Sequence, residues 1–379
     1  MSGRRETKNK EVILSRRESV GIGIIGTGFA RTTQLPAFRA VEGASIVAIA
    51  SGHRENADAV AGEFEISFAT TDWREVVARE DVDLVSIVTP PVTHAEIAVA
   101  ALDAGKAVLC EKPMAMNADE TDAMRQKARA SGRLALVDHE LRLLPARRQM
   151  RDMILRGEVG RVRHAKFVFR TDSRASADRP WNWWSDESAG GGALGAIGSH
   201  AIDSLRWLLF TGVSHVSASL TAHVRERRDQ TTGEMRAVTT DDEASLLVNF
   251  DDGAVTEGAT GVVSISMAEP GAGEHSVAVF GSEGALRVEG AGDLWLSRVG
   301  DNSWHRVSTD SAPLASGLRD NEWSRGFTLF AREVVAAVRE GRTTIDSAAT
   351  FDDGHHTQLV LDAARAAHSS GCRVTVTDV

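Results

Sequence analysis

Tyrosine is missing altogether from this 379-residue chain, and aromatic residues make up only 5% of it. Every mechanism that needs a phenol as its acid is therefore excluded. Cysteine is nearly as scarce. Cys110 and Cys372 are the only two, too few for a disulfide scaffold or a cysteine zinc site and in keeping with a reducing, cytoplasmic location. No run of about eighteen apolar residues occurs, so no transmembrane helix is expected. The polar stretch from Met1 to Arg17 has no apolar core of signal-peptide length and reads as a disordered tail. Positive charge is in deficit: 43 Lys and Arg face 53 Asp and Glu, a net charge of −10. That argues against nucleic acid or an anionic membrane as the main partner. No clustered ligand spacing suggests a metal.

What is present is a regular alternation in the first 140 residues. Apolar runs at Val20–Gly26, Ser45–Ala50, Val82–Val88, Ala107–Cys110 and Leu134–Val137 read as strands. Helical stretches separate them: one running to about Val41, then Glu55–Phe64, Trp73–Arg79, His94–Ala104 and Ala118–Ala130. Strands that are apolar throughout and separated by helices predict an α/β domain with a parallel sheet covered on both faces, spanning residues 18–140. Beyond Arg142 this alternation stops. Val162–Arg170, Val213–Val224, Ala244–Phe250, Ala254–Ile265, Ser276–Phe280 and Ala285–Val288 read as β segments, with Asp251-Asp252-Gly253 a hairpin signal. Two long helical stretches, about Glu322–Arg339 and Gly354–Ser369, end a second domain over residues 141–379.

Three strand ends carry chemistry. The first strand closes on Gly26-Thr27-Gly28, followed by Phe29 and Ala30 at the opening of a helix. Glycines there permit a tight turn and close backbone approach to a pyrophosphate; a purely structural turn is the alternative, and the third fingerprint position holds Arg31. The second strand ends at Ser51, with His53 and Arg54 behind it and no Asp or Glu to hold a ribose 2′-hydroxyl. A hydroxyl and a guanidinium accept a 2′-phosphate, which favours NADP(H) over NAD(H); a solvated Arg54 would leave either cofactor possible. The Ala107–Cys110 strand delivers Glu111 and Lys112 just before Pro113. Proline keeps Lys112 out of helical geometry, and the carboxyl ends of such strands are where ligands bind. Lys112 is thus a candidate acid or base, with a plain strand-capping Glu-Lys pair as the alternative.

Taken in order, Gly26-Thr-Gly28, Thr89-Pro-Pro-Val-Thr-His94, Glu111-Lys-Pro113, the cluster from Gly190 to Asp203, and Phe351-Asp-Asp-Gly354 with Val360-Leu-Asp-Ala363 resemble the Gfo/Idh/MocA oxidoreductase family. The resemblance covers nearly everything after the tail. It implies a Rossmann dinucleotide-binding domain followed by a C-terminal α+β domain with a large, open, mostly antiparallel sheet, often the interface of a homodimer or homotetramer. By the same resemblance Lys112 sits beside the nicotinamide and the reacting carbinol carbon. Thr89, Pro90, Pro91 and His94 line the nicotinamide and its ribose. His200 is a second acid/base or substrate-orienting residue, with Asp203 three residues along the same helical face.

One position departs from the family. Many members carry an aspartate four residues before this histidine, and here that position is Ala196. Either Lys112 and His200 suffice, or a neighbour such as Asp203 or Asp138 substitutes, or the chemistry is lost. Three of the eight tryptophans, Trp181, Trp183 and Trp184, lie just before the glycine cluster. Indole faces suit sugar rings, polyols and cyclic diols, and packing of the loop onto the sheet is the competing role. Two functions stay in play: hydride transfer between NAD(P) and a secondary alcohol or ketone of such a substrate, or a non-catalytic dinucleotide-binding sensor of the same fold.

Overall fold

Each apolar run of the first 140 residues forms a strand, buried throughout except for the half-buried first half of the second. The computed structural model describes residues 19–271 and 273–378, so the expected tail at 1–17 lies outside the described residues. The strands are β1 (Val20–Ile25), β2 (Ala44–Ala50), β3 (Ala69–Thr70), β4 (Leu84–Ile87), β5 (Ala107–Cys110) and β6 (Ala135–Val137). All pair in parallel, in the order β6-β5-β4-β1-β2-β3. The helices between them are α1 (Leu35–Arg39), α2 (Arg54–Phe64), α3 (Trp73–Ala78), α4 (His94–Asp103) and α5 (Ala118–Ser131). Alternate side chains feed opposite layers. Leu84 and Leu109 join Phe38 on one face, while Val85, Val108 and Cys110 join Ile97 and Met124 on the other. Strand order reverses on either side of β1, and that reversal opens a crevice at the carboxyl ends of the strands.

The second half does not abandon helices at once, as the sequence suggested. Pro145 opens α6 (Pro145–Leu155), whose three arginines, the fully buried Arg147 among them, mask its apolar stripe. After β7 (Val162–Arg170) comes α7 (Ser199–Leu209), then β8 (Val213–Thr221), the hairpin β9 (Glu226–Arg228) and β10 (Met235–Ala237), and β11 (Glu243–Phe250). Next come β12 (Thr256–Ser266), β13 (Glu274–Gly281), β14 (Gly284–Glu289), β15 (Asp293–Arg298), β16 (His305–Val307) and α8 (Glu322–Glu340). The chain ends with β17 (Ala349–Thr350), α9 (Phe351–Ser370) and β18 (Val374–Thr375). Nine strands form one open sheet, β16-β15-β14-β13-β7-β12-β11-β8-β18, antiparallel except where β12 runs parallel to β7. Helices α6, α7 and α9 cover one face, burying Met150, Leu208, Phe167, Val263 and Leu361 in a common core. On the other face Leu247 stays exposed.

Two late elements return to the first domain. β17 pairs antiparallel with β6 at the sheet edge. Helix α8 lays Phe327, Phe330 and Val334 into the core around Phe38, with the Phe38 and Phe327 rings edge to face at 5.5 Å. The ends of these late helices follow local rules: Asn321 and Thr350 accept backbone N–H bonds as N-caps, and Gly341 and Gly371 end α8 and α9 in left-handed geometry.

Candidate active site

The crevice above β1, β4 and β5 is a cleft of about 530 Å³ between the two domains. Gly26, Thr27, Gly28 and Phe29 line one wall, with Ser51 and His53 at its far end. Gly26 has φ +106°, and a Cβ there would lie 2.4 Å from the Val88 carbonyl oxygen, so only glycine makes this turn. Beside Gly28 a Cβ would meet nothing within 4 Å; that open space is where a pyrophosphate can approach the backbone. The helix behind the loop begins with a π-helical turn, Ala30–Gln34, that runs into α1. Ala30 is buried beneath the loop, and Arg31 points outward to Glu63 at 2.6 Å. Ser51 is held by Thr27, Oγ to Oγ1 at 3.3 Å, and accepts the His53 backbone N–H at 3.4 Å. Arg54 does not line the cleft. It starts α2 and pairs with Asp58 one turn on, at 2.8 Å, in solvent.

Thr89, Pro90, Pro91, Glu111 and Lys112 form the adjoining wall. The Lys112–Pro113 peptide is cis. Lys112 Nζ donates to the Ala196 carbonyl oxygen at 3.2 Å, across from the glycine cluster. That cluster forms a second π-helical turn, Leu194–Gly198, leading into α7; such turns recur at functional sites. The backbone at position 196 therefore meets the lysine even though its methyl side chain cannot.

His94 has a different place from the one expected. It is completely buried and does not line the cleft; Nδ1 lies 3.1 Å from the Pro113 carbonyl oxygen and Nε2 2.8 Å from that of Thr89. It ties the Thr89–Pro91 turn to the turn after Lys112, and burial pushes its basicity down. Asp203 is likewise drawn away from proton chemistry. Its carboxylate is 1% exposed and takes a bidentate pair from Arg142, at 2.8 and 2.5 Å, which also reaches Asp353 at 3.2 Å. It joins the end of the first domain to α7 and to the capping box of α9.

His200 is also buried and does not line the cleft; its ring lies tilted against Trp323 with centroids 4.6 Å apart, and its Nδ1 is 3.4 Å from His139 Nδ1. Its Nε2 has no hydrogen-bond partner among the described residues. Burial first, then the charge of Lys112, holds it well below the ordinary histidine range, so the ring is neutral. His139 is lowered to about 4, chiefly by burial. Of the tryptophans, Trp183 and Trp184 border the cleft. Trp181 does not; it pins its loop to the β9–β10 hairpin through Arg236, 3.3 Å above its ring, and through Nε1–H donated to Ala237 O at 3.0 Å. Gly190, at φ +85°, lets this loop close on the first domain, since a Cβ would sit 2.6 Å from Pro91 Cβ.

Sequence reasoning named Glu111 and Asp138 but missed Gln34, Ser86 and Glu140, which with them form a buried polar group under the same strand ends. Gln34 Nε2 donates to Glu111 Oε1 at 3.0 Å and to Asp138 Oδ2 at 3.3 Å, and its oxygen accepts from Ser86 at 2.6 Å. Asp138, His139 and Glu140 directly follow β6. A run of three polar residues at the carboxyl end of a parallel strand was the signal that could have found them.

A glycine turn at a topological switch point, with a lysine at a neighbouring strand end, defines a nicotinamide-dinucleotide oxidoreductase. Residues 20–139 match the oxidoreductase family with an NAD-binding Rossmann fold, and residues 147–287 match the GFO/IDH/MocA C-terminal domain. The chain belongs to the Gfo/Idh/MocA oxidoreductase family. Glucose-fructose oxidoreductase domain-containing protein 2 of Xenopus laevis is 33% identical over 368 residues, covering 93% of this chain and 92% of that relative. Levoglucosan dehydrogenase of Pseudarthrobacter phenanthrenivorans is 29% identical over 380 residues, 91% and 95% of the two chains. A levoglucosan dehydrogenase solved with NADH and L-sorbose superposes with a TM-score of 0.85 at 27% identity, covering 96% of this chain and all of that one. An oxidoreductase domain protein from Kribbella flavida gives 0.84 at 29%, with the same coverage. Among the described residues no helix is long and apolar enough to cross a membrane.

Proposed function

We propose that this enzyme oxidises a secondary alcohol of a sugar, inositol-like polyol or cyclic diol, or reduces the matching ketone. The observation that carries the reading is that the glycine turn, Lys112 and the indoles of Trp183 and Trp184 share one cleft. Gly26–Phe29 would hold the pyrophosphate over the buried Ala30, Ser51 and His53 the adenosine ribose, and Thr89–Pro91 with Glu111 the nicotinamide end. A nicotinamide bound there would supply the hydride acceptor or donor for the substrate carbon. Lys112 Nζ accepts the substrate hydroxyl proton in oxidation and donates it in reduction. The unpaired Nε2 of His200, buried behind the cleft wall, becomes a neutral hydrogen-bonding partner for that oxygen only where substrate binding exposes it. Trp183 and Trp184 pack against the carbon face of the ring. The small, sugar-like compounds bound by the relatives support this substrate class.

NADP(H) is the favoured cofactor, because no carboxylate ends β2 and Arg54 can turn from Asp58 to a 2′-phosphate. Titration should give tighter NADP(H) binding that Arg54→Ala weakens. Tighter NAD(H) binding, indifferent to that substitution, overturns this part. The unpaired cysteines accord with the cytoplasm, and the exposed face of the nine-stranded sheet offers the contact for a homodimer or homotetramer, measurable by light scattering.

The deciding experiment screens the purified protein against sugars, polyols and cyclic diols, following reduced cofactor. Turnover on one class that Lys112→Met abolishes is expected. Tight cofactor binding with no turnover on any class would favour the sensor that Ala196 brings to mind.

A further inference from the structure

Three acidic side chains, Glu111, Asp138 and Glu140, cluster below the cleft, and the mechanism so far gives none of them a part in moving a proton. Glu111 reaches the cleft wall; Asp138 and Glu140 are 1% and 2% exposed. Glu111 and Asp138 meet at the Gln34 amide, and Glu140, two residues beyond Asp138, is near enough for the three charges to act on one another. Glu111 Oε2 accepts the Lys112 backbone N–H at 3.3 Å. Asp138 Oδ1 and Glu140 Oε2 have no N–H or O–H partner among the described residues. Buried carboxyl oxygens without a donor are satisfied by a proton held between carboxyls, since like charges close together cannot all ionise.

We infer that Glu111, Asp138 and Glu140 form a shared-proton chain that balances the charge of Lys112, the part an aspartate at position 196 would otherwise play. The inference rests on Lys112 being the proton acceptor. In alcohol oxidation the substrate O–H bond breaks and an N–H bond forms at Lys112 Nζ, while the carbinol C–H bond gives its hydride to the oxidised nicotinamide dinucleotide. An O–H bond of the chain then breaks, its proton leaving through Glu111 to water in the cleft. One proton is released per alcohol oxidised, and the ammonium faces a new carboxylate. All three carboxyls are positioning residues that act through Lys112.

The surroundings suit this role. The cations facing the chain are Lys112 and, from α6, Arg147; Cys110 adjoins it on β5 and the Gly326 backbone of α8 packs on Glu140. Burial, then Glu111's charge, pushes Glu140 up to about 8, while Lys112 pulls it down. The chain therefore ionises within the working range of an enzyme.

The test is the pH profile of kcat and KM for the best alcohol of the screen, in wild type, Glu140→Gln, Asp138→Asn and Lys112→Met. Wild-type kcat should show an ionisation between about pH 7 and 9. Either carboxyl variant should displace it by about one unit or more and lower kcat about tenfold, with KM nearly unchanged. Gln34→Leu, which removes no charge, should displace it too and serves if a carboxyl variant does not fold. A wild type without that ionisation, or folded variants that keep the wild-type profile, overturns the inference. If Lys112→Met retains turnover, the reading of Lys112 falls instead.

Discussion

Asp203→Ala separates a structural carboxylate from a catalytic one. The wild-type side chain is 1% exposed and forms both hydrogen bonds to an Arg142 guanidinium whose side chain is 5% exposed. Removing one partner of a buried pair costs about 3–5 kcal/mol, because the remaining charge is stranded. Asp353 still reaches Arg142 at 3.2 Å, so the lower end, about 3 kcal/mol, is expected. For a domain of this size each kcal/mol lowers Tm by roughly 2–4 °C, a fall of about 6–12 °C. Thermal unfolding followed by circular dichroism measures it, with dinucleotide binding titrated alongside. Asp203→Asn, which keeps an oxygen for Arg142 and loses the charge, should fall between wild type and Asp203→Ala. Unchanged unfolding in Asp203→Ala together with lost turnover would refute the reasoning and return this residue to proton transfer.

Gly26→Ala should abolish dinucleotide binding and destabilise the first domain by at least about 1–2 kcal/mol, the cost of left-handed backbone for a side-chain residue. Intrinsic tryptophan quenching by the cofactor reads the first effect and denaturant unfolding the second. The pH dependence of stability has two opposed parts. Glu140's folded value of about 8 lies above its unfolded one of about 4.5, so stability grows as pH falls from about 8. His139's folded value of about 4 lies below about 6.5, so between those limits the unfolded state takes up the proton first and up to about 3 kcal/mol is lost. Buried His94 and His200 act in the same direction as His139. A stability maximum near pH 6–7 is expected in thermal scans; a maximum above about pH 8 contradicts both assignments. Trp183→Ala should raise KM for the sugar-like substrate about tenfold with little change in Tm, whereas equal losses of stability and affinity would make this indole a packing residue.

The dinucleotide domain was largely legible because its determinants are local. A continuous apolar run specifies a doubly covered strand, a glycine at φ +106° specifies the turn after it, and Pro113 marks where β5 stops. Strand order then brings Gly26, Ser51, Thr89 and Lys112 to one edge without further information. Six strands of the second sheet were legible, whereas β15 and β16 at its edge were not, and α6 was hidden by its arginines. The short strands β17 and β18 were hidden too, since two-residue pairings have no period to read.

What only the tertiary structure decided is which polar side chains face the cleft. His94, His200 and Asp203 sit at the spacing expected of site residues, yet packing gives His94 two carbonyl partners and Asp203 an arginine. The indole set divides in the same way, with Trp181 taken by Arg236 and Trp183 left at the cleft. Gln34, Glu111 and Asp138 meet across as many as 104 residues of chain. No sequence period can encode such a meeting, because it arises from the close packing of three strand ends. By itself the sequence determined a dinucleotide-binding oxidoreductase with a lysine at a strand end. The fold decided which charges surround that lysine, since burial and contact, not residue type, set where a proton rests.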